Sequence, residues 1–164
     1  MKFKDQRVGV FVDVQNLYYS AKHLFGTKVN FKEILKEVVG PRKLVRAIAY
    51  VIKAEAPEEQ TFFGALSNQG YEVKMKDIQI FYGGNKKGDW DIGLAMDTIE
   101  IAEKCDVVVI ASGDGDYVDL VHHLRHAKGC RVEVASFQKS TSSKLMDVAD
   151  EFLDLGKNKK FLLK

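Results

Sequence analysis

Proline is nearly absent from this chain, with two in 164 residues. There is no proline-rich, serine-rich or other low-complexity tract, and no internal repeat. Cysteine is equally scarce. Cys105 and Cys130 each sit beside an apolar run and lack metal-site spacing, so both read as reduced, partly buried residues. An excess of one charge is missing too. The 25 Lys and Arg against 23 Asp and Glu leave a formal +2, and overall charge gives no argument for nucleic acid. Long hydrophobic runs are also lacking. The first apolar stretch is short and broken by Asp13, which fits neither a secretory leader nor a membrane span. No membrane association and a cytoplasmic address are the expectation.

What is present suits one compact domain over 1–164, with a short basic tail at 156–164. The chain is 46% apolar and 29% charged, as soluble globular domains are. A domain of this size buries roughly 70% of the surface its unfolded chain exposes, enough for a core without cross-links.

Hydrophobic patterning gives strands alternating with helices. Val8–Val14 is short, apolar and β-branched, like a buried strand. A helix is predicted from Leu17 to about Phe25. Asn30 can cap a second over Phe31–Val39, which Gly40-Pro41 stops. Lys43–Lys53 is the next strand, and Pro57-Glu58-Glu59 opens a helix reaching Asn68. Tyr71–Met75 and Ile78–Tyr82 are short strand-like pieces before a Gly- and Lys-rich loop, Gly83–Gly88. Helical spacing runs from Trp90 to about Lys104. Asp106–Ala111 contains VVVIA, the plainest strand. The turn Ser112–Asp116 leads into a helix over Tyr117–Ala127, ended by Gly129. Arg131–Ser136 is a strand, Ser140–Val148 a helix, and Phe152-Leu153 a last short strand. GKNKK reads as a solvated tail. This alternation implies right-handed βαβ units, with a parallel sheet between two layers of helices. Function in such sheets collects at the carboxyl ends of the strands, near the switch in strand order.

Three motifs fall there. In FVDVQNL, Asp13 interrupts a buried strand near its carboxyl end. A buried carboxylate needs a metal, a cation or several donors; the plainer reading makes Asp13 and Asn16 helix-capping residues. In SGDGD, two glycines allow a tight turn, and Asp114 and Asp116 follow the plainest strand. Two acids in the turn would repel a phosphate unless a cation lay between, and Asp116 can also cap the next helix. In KKGDWD, Asp91 opens a helix and Asp89 is either its N-cap or a ligand. Asp97, six residues on, points to a different side and can instead bond a neighbouring backbone or lysine. Asp13, Asp91 and Asp114 should converge on one edge of the sheet. A few hard oxygen ligands suit Mg2+ or Mn2+, which keep waters and bridge to phosphate oxygens. His122, His123 and His126 lack the HExxH acid and read as surface or packing residues. Trp90 and Tyr117 flank the acids, placed either to stack on bases or to pack the core.

In this order, FVDVQNL, KKGDWDIGLAMD and ASGDGDYVDL resemble the NYN (LabA-like) branch of the PIN-like nuclease superfamily, over Val8 to about Leu155. The resemblance implies a Rossmann-like three-layer α/β/α sandwich with a mainly parallel central sheet. It further implies a bound Mg2+ or Mn2+, RNA as substrate, and products with a 5′-phosphate and a 3′-hydroxyl. On that likeness Asp13, Asp91, Asp114 and Asp116 are the catalytic acids that hold the metal. Asn16 and Ser112 orient water or phosphate, and Lys86, Lys87, Lys139 and Lys144 are phosphate contacts. Either acid of the Asp89-Trp90-Asp91 triplet can fill the middle position, with Asp97 a further member of the pattern. The expected activity is endonucleolytic cleavage of RNA. The alternatives are a non-catalytic RNA-binding module and a phosphoryl-transfer enzyme of similar architecture. The latter often needs an acid two residues after its nucleophile, where this chain has Gln15. A homodimer is a further expectation.

Overall fold

The computed structural model describes residues 2–80, 86–87 and 89–163, with the backbone alone at 79–80 and 86–87. Strand β1 (Arg7–Asp13) is followed by helices α1 (Val14–Phe25) and α2 (Phe31–Val39) and by β2 (Lys43–Lys53). Helix α3 (Glu59–Asn68) leads to β3 (Glu72–Asp77). A small antiparallel ribbon then pairs β4 (Gln79–Ile80) with β5 (Lys86–Lys87). The second half runs α4 (Asp91–Ile101), β6 (Val107–Ala111), α5 (Val118–His126), β7 (Arg131–Ser136), α6 (Ser143–Val148) and β8 (Glu151–Asp154).

Six strands form one all-parallel sheet in the order β3-β2-β1-β6-β7-β8. The α/β class expected from the sequence is therefore what the chain adopts. β1 lies at the centre because the first half of the chain builds outward on one side and the second half on the other. The order reverses between β1 and β6, which is the switch point.

Period-two alternation makes the two cores. Val8, Val10 and Val12 of β1 face a layer containing Leu17, Ile34, Leu35 and Phe63, from α1, α2 and α3. Phe11, from the same strand, faces the other layer, with Leu94, Val121, Leu124 and Leu145 from α4, α5 and α6. Gly9 shares that second face: a Cβ there would lie 3.0 Å from the Phe11 ring and 3.1 Å from Cys105 Sγ. Both cysteines are free and buried.

Several boundaries differ from expectation. α1 starts at Val14, three residues early, because the Asp13 carboxylate caps it by accepting the Asn16 N–H at 3.2 Å. Asp114, not Asp116, caps the turn before α5, accepting the Asp116 N–H at 2.9 Å. α6 begins only at Ser143, capped by Ser142, and a 3-10 turn precedes it. Of Ile78–Tyr82, the strand keeps Gln79–Ile80; Phe81 to Asn85 and Gly88 lie outside the described residues. Residues 156–160 are exposed as expected, yet the tail is anchored just beyond them. Phe161 is buried in the core, and its carbonyl accepts the Asn30 N–H at 2.8 Å.

Candidate metal centre

The β1–β6 register pairs Val12 with Ala111. The next residues, Asp13 and Ser112, therefore emerge side by side at the carboxyl ends of adjacent central strands. The Ser112 hydroxyl donates to Asp13 Oδ2 at 3.1 Å, closing a contact across 99 residues of sequence. Asp13 Oδ1 takes the Asn16 N–H. Asn16 in turn accepts the Gly113 N–H on its Oδ1 at 2.9 Å, tying α1 to the SGDGD turn. Asn16 and Ser112 thus both hold the turn that carries Asp114.

From the far side comes α4. Its first residue, Asp91, places a carboxylate oxygen near those of Asp114 and Asp116, all three within 4.8 Å of one another. Asp89 stays outside this group and accepts the Asp91 N–H at 3.2 Å. Of the two middle acids, Asp91 is the one the fold brings in. Asp97 turns away, as its helical spacing suggested, to Lys74 Nζ at 2.7 Å and the Tyr50 hydroxyl at 2.8 Å.

Asp13 is not part of that close trio but is one hydroxyl away from it. Tyr117, almost wholly buried, lies 3.1 Å from Asp91 Oδ1 and 3.5 Å from Asp13 Oδ2 through its Oη. One phenolic proton can serve only one of these carboxylates at a time. Burial, with the charges of Asp13 and Asp91 next, pushes the Tyr117 phenol well above its ordinary range, so it stays protonated. The sequence offered Tyr117 for base stacking or core packing; its hydroxyl as a link between two acids was the missed feature. Trp90 is structural: Nε1 donates to Val51 O at 2.9 Å, and the ring packs on Tyr50 at 5.3 Å.

The electrostatics of this corner are strained. Burial raises the Asp13 carboxyl above its ordinary value, and Asp114 adds to it; the bonds from Asn16, Ser112 and Tyr117 oppose the rise. Asp91 is pushed up to about 7, first by burial, then by Asp114, with smaller contributions from Asp89 and Asp13. Four acids converging without a cation repel one another, and a divalent ion removes that repulsion. The donor set is all carboxylate oxygen, with no nitrogen or sulfur, which fits a hard cation. Among the described residues this is the one such group; His122 and His126 only stack on each other, at 5.8 Å.

Asp91 and Asp116 line a groove of about 600 Å3 between α4 and α5, together with Ala95, Tyr117, Leu120 and His123. Lys139 and Lys144 are exposed on the segment beside the acid-bearing turn. That segment packs closely: Ser142 N donates to Gly113 O at 3.0 Å. The side chains of Lys86 and Lys87 lie outside the described residues.

A family model described as the NYN domain matches residues 7–156. The chain belongs to the NYN domain family. Consistent with that membership, it is 27% identical to the Low amplitude and bright protein LabA of Synechococcus elongatus, across the whole of this chain and 91% of that protein. The crystal structure of a protein of unknown function from Vibrio parahaemolyticus superposes with a TM-score of 0.90, at 32% identity over 99% of both chains. NYN domains form a PIN-like nuclease family, and here the shared fold carries an acid cluster at its switch point. Among the described residues, no helix is long and apolar enough to cross a membrane.

Proposed function

We propose that this NYN domain is a divalent-metal-dependent endoribonuclease. The observation that carries the reading is the trio Asp91, Asp114 and Asp116 beside the buried Asp13 at the switch point. Those four acids are the groups that would hold Mg2+ or Mn2+. When bound, such an ion neutralises a phosphate oxygen and acidifies water, which is the chemistry phosphodiester hydrolysis needs.

The protein's own share is positioning. Asp13, fixed through both oxygens, directs its charge into the cluster. Tyr117 keeps its proton and holds Asp91 in place. Asn16 and Ser112 fix the turn that presents Asp114. Exposed Lys139 and Lys144, with Lys86 and Lys87 of the ribbon, are assigned to the flanking phosphates, so binding should weaken as salt rises. The cytoplasm, where free cysteines persist, is the proposed location. The proposal includes a homodimer, checked by whether light scattering gives 18.5 kDa or twice that.

The test is cleavage of a mixed RNA and single-stranded DNA pool with Mn2+, Mg2+ or EDTA, for the wild type and Asp13→Asn. Metal-dependent RNA cutting that drops at least 100-fold in the variant is expected (about 10^2 is the scale of losing one electrostatic stabiliser). RNA binding without cutting in any metal would make the chain a binding module instead. Cutting of DNA alone would overturn the choice of substrate.

A further inference from the structure

Within the layer formed by α1, α2 and α3, the fold leaves a second cavity of about 370 Å3. It opens at the carboxyl end of β2. Tyr18, Tyr19, Phe31, Phe62 and Phe63 supply aromatic walls, over aliphatic side chains that include Val14 and Val51. The volume lies in the range of small-molecule sites, roughly 300–1,000 Å3.

The proposed nuclease chemistry does not use this cavity: it lies in the layer of α1, α2 and α3, whereas Asp91 and Asp116 line the groove between α4 and α5. Gln15, on the cavity wall, follows Asp13 by two residues in the same helical start.

Three features define the chemistry of that occupant. First, the walls are mostly rings, and Tyr19 is 57% exposed at the opening, so a planar aromatic ligand finds stacking surface. Second, the lining polar groups are mixed. Gln15 offers both a donor and an acceptor, Lys28 a donor, and Glu58 an acceptor. Glu59 is already engaged, taking the Ala54 N–H at 2.7 Å and the Glu55 N–H at 3.2 Å. Third, two glutamates against one lysine make the lining a poor place for a phosphate. A flat ring with polar edges and no negative charge meets all three conditions.

We propose that this cavity takes a nucleobase. The assignment rests on the nuclease reading for the class of ligand. Stacking on rings accepts any base; the amide of Gln15 and the carboxylate of Glu58 bias the choice among them.

The experiment uses the full chain with its six tyrosines replaced by 3-fluorotyrosine, in EDTA, and follows fluorine resonances. Tyr18→Phe and Tyr19→Phe identify the two signals that matter. Titration with adenosine, guanosine, cytidine and uridine should move the Tyr18 and Tyr19 signals for at least one nucleoside. Ribose 5-phosphate should leave them in place. Tyr19→Ala, at an exposed position, should weaken that binding about 5- to 100-fold, the range for losing one stacking partner. Unmoved signals with all four nucleosides at millimolar concentration would overturn the proposal. So would equal shifts with ribose 5-phosphate, or shifts with toluene and none with nucleosides, which would make the cavity an apolar site only. The measurement needs no metal and no cutting. Nucleoside binding in a protein that cleaves nothing would remove the nuclease reading and leave the base site; cleavage by a protein whose tyrosines ignore nucleosides would do the reverse.

Discussion

Asp91 is the residue whose behaviour should report most directly on the cluster. Its carboxyl is pushed up to about 7 by burial and by Asp114, and a metal must displace the proton that this favours. Mn2+ affinity by calorimetry should therefore fall about tenfold per unit as pH drops below 7, and level off above it. The sign for stability is opposite. Without metal, the raised value makes the fold more stable as pH falls from about 7 towards the ordinary 3.8. Asp91→Asn should flatten the pH slope of Mn2+ binding near 7 and raise the metal-free melting temperature at pH 8 by ~2–4 °C, equivalent to about 1 kcal/mol. A variant that melts lower without metal would show that the repulsion is not there. Gly113 makes a second test. A Cβ at that position would lie 2.9 Å from both Ser136 Oγ and Thr141 Oγ1 and 3.0 Å from the Ser140 carbonyl. Gly113→Ala should cost about 1–3 kcal/mol by overpacking and should lower Mn2+ affinity as well, because Asp114 rides on the same turn. Adding Ser136→Ala removes one of the three contacts, along with a buried hydroxyl that has no partner among the described residues, and should restore part of both losses.

Elements were legible where one signal acted alone. Lys43–Lys53, Arg131–Ser136 and Phe31–Val39 have the bounds that their patterning gives. Misplacement came where a side chain far away in sequence, or a cap, decided the boundary. α1 begins at Val14 because Asp13 turns its carboxylate onto the Asn16 N–H, and β-branched Val14 reads locally as strand. The convergence of Asp13, Asp91 and Asp114 could be foreseen because strand ends at a switch point gather whatever follows them. The Tyr117 link could not. It depends on the approach of α4 to α5, and nothing periodic encodes the length at which a phenol reaches two carboxylates. The aromatic cavity was equally hidden, since its lining comes from α1, α2, α3, β2 and Leu163 near the chain's end.

Across the whole molecule, the edge of the sheet opposite the acids is fastened by charge. Arg42, after α2, makes two bonds to Glu133 of β7, at 3.0 and 2.8 Å, with both side chains buried. Burial alone would raise the Glu133 carboxyl; the bonds from Arg42 and Arg131 outweigh it and hold it below the ordinary value. Arg42→Met leaves Glu133 buried with Arg131 as its partner, and should cost about 3 kcal/mol. Urea unfolding at pH 7 checks the size. A depressed value contributes stability above the ordinary 4.5 and loses it as pH falls through the folded value, so the gap from wild type should narrow at pH 3.5. A gap that is unchanged at that pH would point to lost packing instead.

The central position of β1 has a further consequence during synthesis. β1 is made well before its neighbour β6, and the Asp13–Ser112 contact spans 99 residues. Domains complete their packing as units while the chain is extended. A chain still being translated therefore holds Asp13 with no Asp114 or Asp116 to join it. The ribosome is itself built largely of RNA, and this order of assembly leaves the proposed cutting centre unmade until the turn that carries Asp114 and Asp116 has cleared it.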